Sequence, residues 1–266
     1  MTIPGVNGLG YVAVPITALW TSPTAARSVD RWAVEPVPDV PAWLADLDAA
    51  TARSGLYGRV LTQLEYGEPV LIIGDADGLR AGQDSRLWLQ IAAPMQPSSL
   101  DERGYPGWVP AEHIGQGVVQ VDDPSLRPAD GNSGTPEVEA SAEAFIAVAR
   151  AHLGVPYLWG GTCRLGLDCS GLVHLSLRRL GIVVPRDTVD LYDACEHLPA
   201  AEAVPGDLLF FAQNGERPHH VGIVTEPDQV LHSVKKGSLI VEGPLSASRR
   251  STLIGAGRLS FQPPLA

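Results

Sequence analysis

Scarcity narrows the class of this 266-residue chain before any motif does. It has three cysteines, at 163, 169 and 195, an odd count whose spacing suits neither a redox pair nor a zinc site. No disulfide framework is expected, and a reducing compartment fits best. No run of about 18 apolar residues occurs, which argues against a helical membrane span. The N-terminus, MTIPGVNGLGYVAVPITALW, lacks a basic start and a continuous apolar core. No signal peptide is read there, and a cytoplasmic location is expected. Basic residues are few: 19 Lys and Arg stand against 30 Asp and Glu, a net charge of −11. That balance disfavours nucleic acid or an anionic membrane surface as a partner. Internal repeats and low-complexity tracts are absent from the sequence.

What is present divides into two halves. Residues 9 to 116 hold short β-like runs, YVAVPITALW, RVLTQLEYGEPVLIIG, LWLQIA and GWVPAEHI, punctuated by Gly, Pro and Asp. They predict a small all-β barrel over residues 1–119. The stretch VPAWLADLDAATARSGLYG, near 40–58, is apolar at helical spacing and predicts a helical insertion. Residues 120–136 are rich in Pro, Asp, Gly and Ser and read as a linker. Beyond it, TPEVEASAEAFIAVARAHLG predicts a helix capped by Thr135, with Pro136 in its first turn and Gly154 closing it. A second helix follows, and after residue 204 five strand-like runs form a meander. Helices first and an antiparallel sheet afterwards make residues 137–266 an α+β domain.

The second helix carries the chemistry. In RLGLDCSGLVHLSLRRLG, residues 164–181, Leu172, Val173, Leu175, Leu177 and Leu180 mark an amphipathic helix that Gly181 ends. Asp168 is a good N-cap, so Cys169 occupies the first helical position. The partial positive charge there favours thiolate over thiol. A small, semi-apolar residue chosen for packing would suit the position equally. A nucleophilic thiol needs a base, and histidine serves near neutral pH. His113, His152, His174 and His197 read as packing or surface residues. His219, His220 and His232 lie on consecutive strands expected to cover the Cys169 helix. A His–His pair could serve packing; two histidines aimed at one thiol would make with it a nucleophile, a base and an orienting group.

The motifs PYLWGG (156–161), DCSGLV (168–173), VPRDT (184–188), PGDLLFF (205–211), HHVGIV (219–224) and VLHS (230–233), in that order, resemble the NlpC-type cell-wall cysteine peptidases, a papain-like family. The resemblance implies Cys169 as nucleophile, His220 as base, His232 as its orienting residue and Tyr157 as an oxyanion donor. The stretches VAVPITALWTSP, TQLEYGEPV and GYPGWV resemble the bacterial SH3-like domain joined to such peptidases in murein tripeptide recycling. Those enzymes cut γ-D-glutamyl–diamino acid bonds behind an L-Ala whose amine is free. Carried over by motif, Glu68 (or its neighbour Glu65) and Tyr105 would wall the pocket. Asp168 and Ser170 would complete the grip on the amine, and Asp187 and Thr188 would hold the D-Glu end. Many relatives have a glutamine after the PR segment where this chain reads VDLYDAC, a departure that bears on subsites and not on the chemistry. The expected substrate is L-Ala-γ-D-Glu-diamino acid, with no cofactor, no metal and a monomeric enzyme.

Three rival readings remain at this level. An exported peptidoglycan endopeptidase or amidase keeps the same three residues but requires a leader. A non-catalytic wall-peptide binding protein would not need the intact thiol and histidines. A zinc site built from His219, His220, His232 and Cys169 is disfavoured, because adjacent strand residues point to opposite faces. Strand parity adds a constraint on the hairpin between the histidines. A regular two-residue turn at Pro227–Asp228 would set His220 and His232 on opposite faces. A three- or five-residue loop around Glu226–Gln229, or a β-bulge, is therefore expected.

Overall fold

The computed structural model describes residues 8–51, 53–74, 79–81, 85–116, 139–213, 215–234 and 238–261. The chain folds as two units, Met1–Ser133 with Trp159–Leu165, and Gly134–Leu158 with Gly166–Ala266. The expected linker at 120–136 falls outside the described residues.

In the first unit the β-like runs become eight strands: β1 (Leu9–Val12), β2 (Ile16–Trp20), β3 (Val60–Glu65), β4 (Pro69–Ile72), β5 (Leu79–Ala81), β6 (Arg86–Ala93), β7 (Tyr105–Pro110) and β8 (Ile114–Gln116). They form one antiparallel sheet in the order β3-β2-β7-β6-β4-β1-β8, with β5 paired to β6. Val12, Leu19, Leu64, Val70, Leu89, Ile91, Tyr105 and Val109 make its core. The helical insertion is present but begins earlier than the apolar spacing predicts. A single-turn helix at Ser28–Asp30 runs into α1 (Arg31–Val34), and α2 (Val40–Ala49) follows. The early start comes from Asp30, fully buried, which accepts from Arg27 Nε at 2.7 Å and from Trp43 Nε1 at 2.9 Å. The segment Trp159–Leu165 includes β9 (Thr162–Cys163) and is held by side-chain bonds within this unit. Trp159 Nε1 donates to the Val60 carbonyl at 3.0 Å, and Thr162 Oγ1 to that of Gln63 at 2.9 Å.

The second unit opens with α3 (Ala142–Arg150), six residues later than the composition predicts. Its cap is Ser141, whose Oγ accepts from the Ala144 N–H at 3.2 Å; Thr135 and Pro136 lie outside the described residues. Gly154 (φ +81°) reverses the chain just beyond the helix. Next come β10 (Gly166–Leu167), α4 (Cys169–Arg178) and α5 (Thr188–Asp193). The meander supplies β11 (Glu196–Leu198), β12 (Leu208–Phe211), β13 (His220–Glu226), β14 (Gln229–Ser233), β15 (Ile240–Gly243), α6 (Ala247–Arg250) and β16 (Leu253–Arg258). Its six strands pair antiparallel in the order β11-β16-β12-β13-β14-β15. One face gives Leu208, Phe210, Val221, Ile223 and Leu231 to the core shared with Phe145 of α3 and Leu172, Val173 and Leu175 of α4. The other buries Leu209, Phe211, Val224, Val230 and Ala256 in a smaller cluster.

The β13–β14 hairpin meets the parity constraint through a bulge. Pro227 and Asp228 do form a two-residue connection between the paired residues Glu226 and Gln229. Asp228 takes φ +61° there, as a tight hairpin turn demands. Between Val224 and Glu226 the register then shifts, so that Thr225 is the extra residue. Beyond it Val224 faces Val230 and Ile223 faces Leu231, which returns His220 and His232 to one face.

Candidate active site

Cys169 is the first residue of α4, and Asp168 caps the helix by accepting from the Gly171 N–H at 2.7 Å. The Asp168 carboxylate is also bound by Arg186 Nη2 at 2.8 Å, while Arg186 Nη1 donates to Ser170 Oγ at 2.9 Å. Arg186 is 1% exposed and Asp168 6%, so this is a buried ion pair spanning both neighbours of the thiol. The sequence reading passed over Arg186 because its partner lies 18 positions away. The PR dipeptide ahead of α5 was the available signal.

The thiol itself is buried, 8% exposed, with Sγ 3.8 Å from Thr188 Oγ1 at the start of α5. Its acidity differs in sign from what the helix terminus alone predicts. Burial pushes the Cys169 pKa up, and the Asp168 charge adds to the rise. Hydrogen bonds from the Val221 and Ser170 N–H groups and from Thr188 oppose it only in part. Asp187 occupies the N-cap position of α5 without a side-chain capping bond.

Across the bulged hairpin, His220 Nε2 and His232 Nδ1 are 2.9 Å apart, with ring centroids at 5.2 Å. Gly222 lies between them along the strand. A Cβ there would sit 2.6 Å from Val230 Cγ1 and 3.2 Å from His232 Cβ, so the close approach of the strands requires glycine. The pair occupies the face of Phe211, whose ring lies 5.3 Å from that of His220. Burial first, then the positive charge of Arg249, hold His220 well below its ordinary pKa and His232 at about 4. Cys169 reaches the histidines' strand through Val221, the residue after His220. Tyr157 pairs with Leu167 through its backbone and donates its N–H to Ser238 at 2.8 Å. Burial raises its phenol pKa strongly, and the charges of Asp168 and Cys169 act in the same direction.

Thus the structure gathers Tyr157, Asp168, Cys169, Ser170, Thr188, His220 and His232 in the second unit. Glu68 and Tyr105 belong to the first. The Glu68 carboxylate is 1% exposed, accepting from Gln96 Nε2 at 3.0 Å and from the Glu65 N–H at 3.1 Å. Tyr105 is buried in the core of the β sheet. Three of the remaining histidines have contacts of their own. His113 bonds Thr17 and the Glu35 carbonyl, His174 bonds the Val184 carbonyl, and His197 stacks on Tyr192. His219 is exposed while His220 is buried, in keeping with strand alternation. Among the described residues, no cluster of three or more His, Cys, Asp or Glu is placed to hold a metal. None of the three cysteines is in a disulfide, and burial raises the Cys195 thiol to about 12, with the Asp207 charge adding to it. No helix of the described residues is long and apolar enough to cross a membrane.

A thiol at a helix terminus, together with a hydrogen-bonded imidazole pair on the strands of the same unit, fits a cysteine hydrolase. Residues 154–257 match the NlpC/P60 family, so the chain carries a domain of that family. It is 29% identical over 276 residues to the γ-D-glutamyl-L-lysine dipeptidyl-peptidase of Bacillus subtilis, covering 85% of this chain and 90% of that protein. The Bacillus cereus enzyme of the same name is 23% identical, over 84% and 82% of the two chains. A solved NlpC/P60 family protein from Bacillus cereus superposes with a TM-score of 0.78 at 21% identity, covering 94% of this chain and 99% of its own.

Proposed function

We propose that this protein hydrolyses the γ-D-glutamyl–diamino acid bond of murein peptides that begin with a free L-Ala, acting as a monomer in cytoplasmic cell-wall recycling. In this reading the β-rich first unit, residues 1–119, is an SH3-like module, 120–136 is a linker and 137–266 is the peptidase. The observation that carries it is the near full-length relation to two γ-D-glutamyl-L-lysine dipeptidyl-peptidases. Within the second unit, Asp168 and Ser170 would recognise the L-Ala amine, and Asp187 and Thr188 the D-Glu residue. An ammonium held against carboxylates away from solvent leaves a capped analogue with unpaired charges to bury, so rejection should be strong.

The chemistry follows from the hydrogen bonds. His220 Nε2 is engaged with His232 Nδ1, so His220 Nδ1 is the nitrogen left to act as base. For Nδ1 to accept a proton, Nε2–H must donate to His232, which fixes both tautomers. Sγ loses its proton to Nδ1 and attacks the γ-carbonyl carbon. The Tyr157 hydroxyl and the first N–H groups of α4 would stabilise the developing oxyanion. The C–N bond breaks as the imidazolium returns its proton to the departing amine. Water, deprotonated by the same imidazole, then cleaves the thioester. Mass spectrometry of products from L-Ala-γ-D-Glu-diaminopimelate tests this. L-Ala-D-Glu and the free diamino acid are expected from the free-amine peptide and not from its N-acetyl form. Cleavage elsewhere, or equal turnover of both, overturns the reading.

A further inference from the structure

Arg249 differs from three other arginines of the second unit. Arg150 pairs with Glu242, Arg186 with Asp168 and Arg258 with Asp207. Arg249 has no carboxylate partner among the described residues. Its position is nonetheless fixed. Nη2 donates to the Val234 carbonyl at 2.9 Å, two residues past His232, and the guanidinium lies 5.7 Å over the Phe211 ring that packs on His220. It is half-buried, and its charge bears on His220, His232 and Cys169 alike. Withdrawing a guanidinium from water without a counter-ion is costly, and a planar fork with donors to spare suits a carboxylate arriving from outside.

The geometry points to Arg249 as a specificity residue that binds a substrate carboxylate flanking the scissile bond. The inference rests on the function proposed above, because a γ-linked peptide has the necessary chemistry. Linkage through the side chain leaves the α-carboxylate of D-Glu free, a short methylene chain from the carbonyl under attack. The departing diamino acid carries a second carboxylate on the other side of the bond. Either is the anion this guanidinium lacks, and a bidentate contact would place the bond relative to Cys169.

Four peptides separate the possibilities: the parent, its D-isoglutamine form, its C-terminal amide and the doubly amidated form. For the wild-type enzyme, amidating the carboxylate that Arg249 binds is expected to lower kcat/KM roughly 10- to 100-fold. R249Q should bring that one preference to within about threefold of unity. R249K should keep part of it, through charge without the fork. Which amidation loses its effect in R249Q names the carboxylate. A wild-type enzyme indifferent to both amidations, or an R249Q variant that keeps the wild-type preference, overturns the inference while leaving γ-glutamyl hydrolysis intact. Failure to cleave any of the four overturns the function as well.

Discussion

Replacing Arg186 with leucine isolates the buried ion pair beside the thiol. The substitution removes the 2.8 Å bond to Asp168 and the 2.9 Å bond to Ser170, at a side chain 1% exposed. Asp168 keeps its capping bond to Gly171, but its charge stays in place with its cation gone. Breaking a buried pair from one side costs about 3–5 kcal/mol, because the remaining charge is desolvated without compensation. R186L should therefore lose about that much in urea unfolding at pH 7.5, followed by circular dichroism. One control fixes the cause. D168N/R186L removes the stranded charge and retains a capping residue, so it should recover more than half of the loss. A loss below about 1 kcal/mol, or a double variant no better than R186L, would refute the claim that the pair holds an otherwise uncompensated charge.

Four further outcomes can be measured. C169A should abolish hydrolysis with the fold intact while C163S and C195S keep it; a C169A enzyme with a tenth of wild-type rate would displace the proposed nucleophile. Alkylation of Cys169 by iodoacetamide should keep accelerating above about pH 8.5, since burial raises the thiol pKa; a plateau from about pH 6 would show a pre-formed thiolate–imidazolium pair. Burial lowers His174 to about 3 and His232 to about 4, so their neutral forms favour the fold. That stability is complete above the unfolded value of about 6.5 and falls as pH drops toward the folded values, by about 2 kcal/mol per residue at pH 5. A flat unfolding free energy between pH 7 and 5 would contradict it. G222A should cost about 1–3 kcal/mol and lower kcat by displacing His232, given the 3.2 Å approach to its Cβ; wild-type kcat would mean the hairpin adjusts elsewhere.

What the sequence made legible was local or periodic. The alternation of HHVGIV and VLHS, the stop at Gly181 and the Asp168 cap all reappear in the structure, because each depends on residues a few positions apart. Parity arithmetic required a device in the β13–β14 hairpin, and the bulge at Thr225 supplies it. The start of α3 was misplaced because Thr135–Pro136 and Ser141 are both competent starts, and only the latter opens a face that buries Phe145 and Ile146. Arg186 and Arg249 were invisible for another reason. Their roles depend on where Asp168 and Phe211 stand, which no local pattern encodes.

The thiol shows most clearly how a local argument can have the wrong sign. A helix N-terminus offers a thiolate partial positive charge worth about 0.3–1 kcal/mol at an exposed site. Burying Cys169 withdraws water from the same charge, and the neighbouring Asp168, although paired with Arg186, still opposes a second anion. The balance falls to the neutral thiol. Arg249 acts on the other partner, since its cation disfavours protonation of both His220 and His232. The resting site is thus held with the proton on sulfur and both imidazoles neutral. A substrate carboxylate arriving at Arg249 would offset both effects of its charge, the repulsion of the imidazolium and the attraction on the Cys169 thiolate, so the selectivity proposed at Arg249 would be read in kcat as well as in KM.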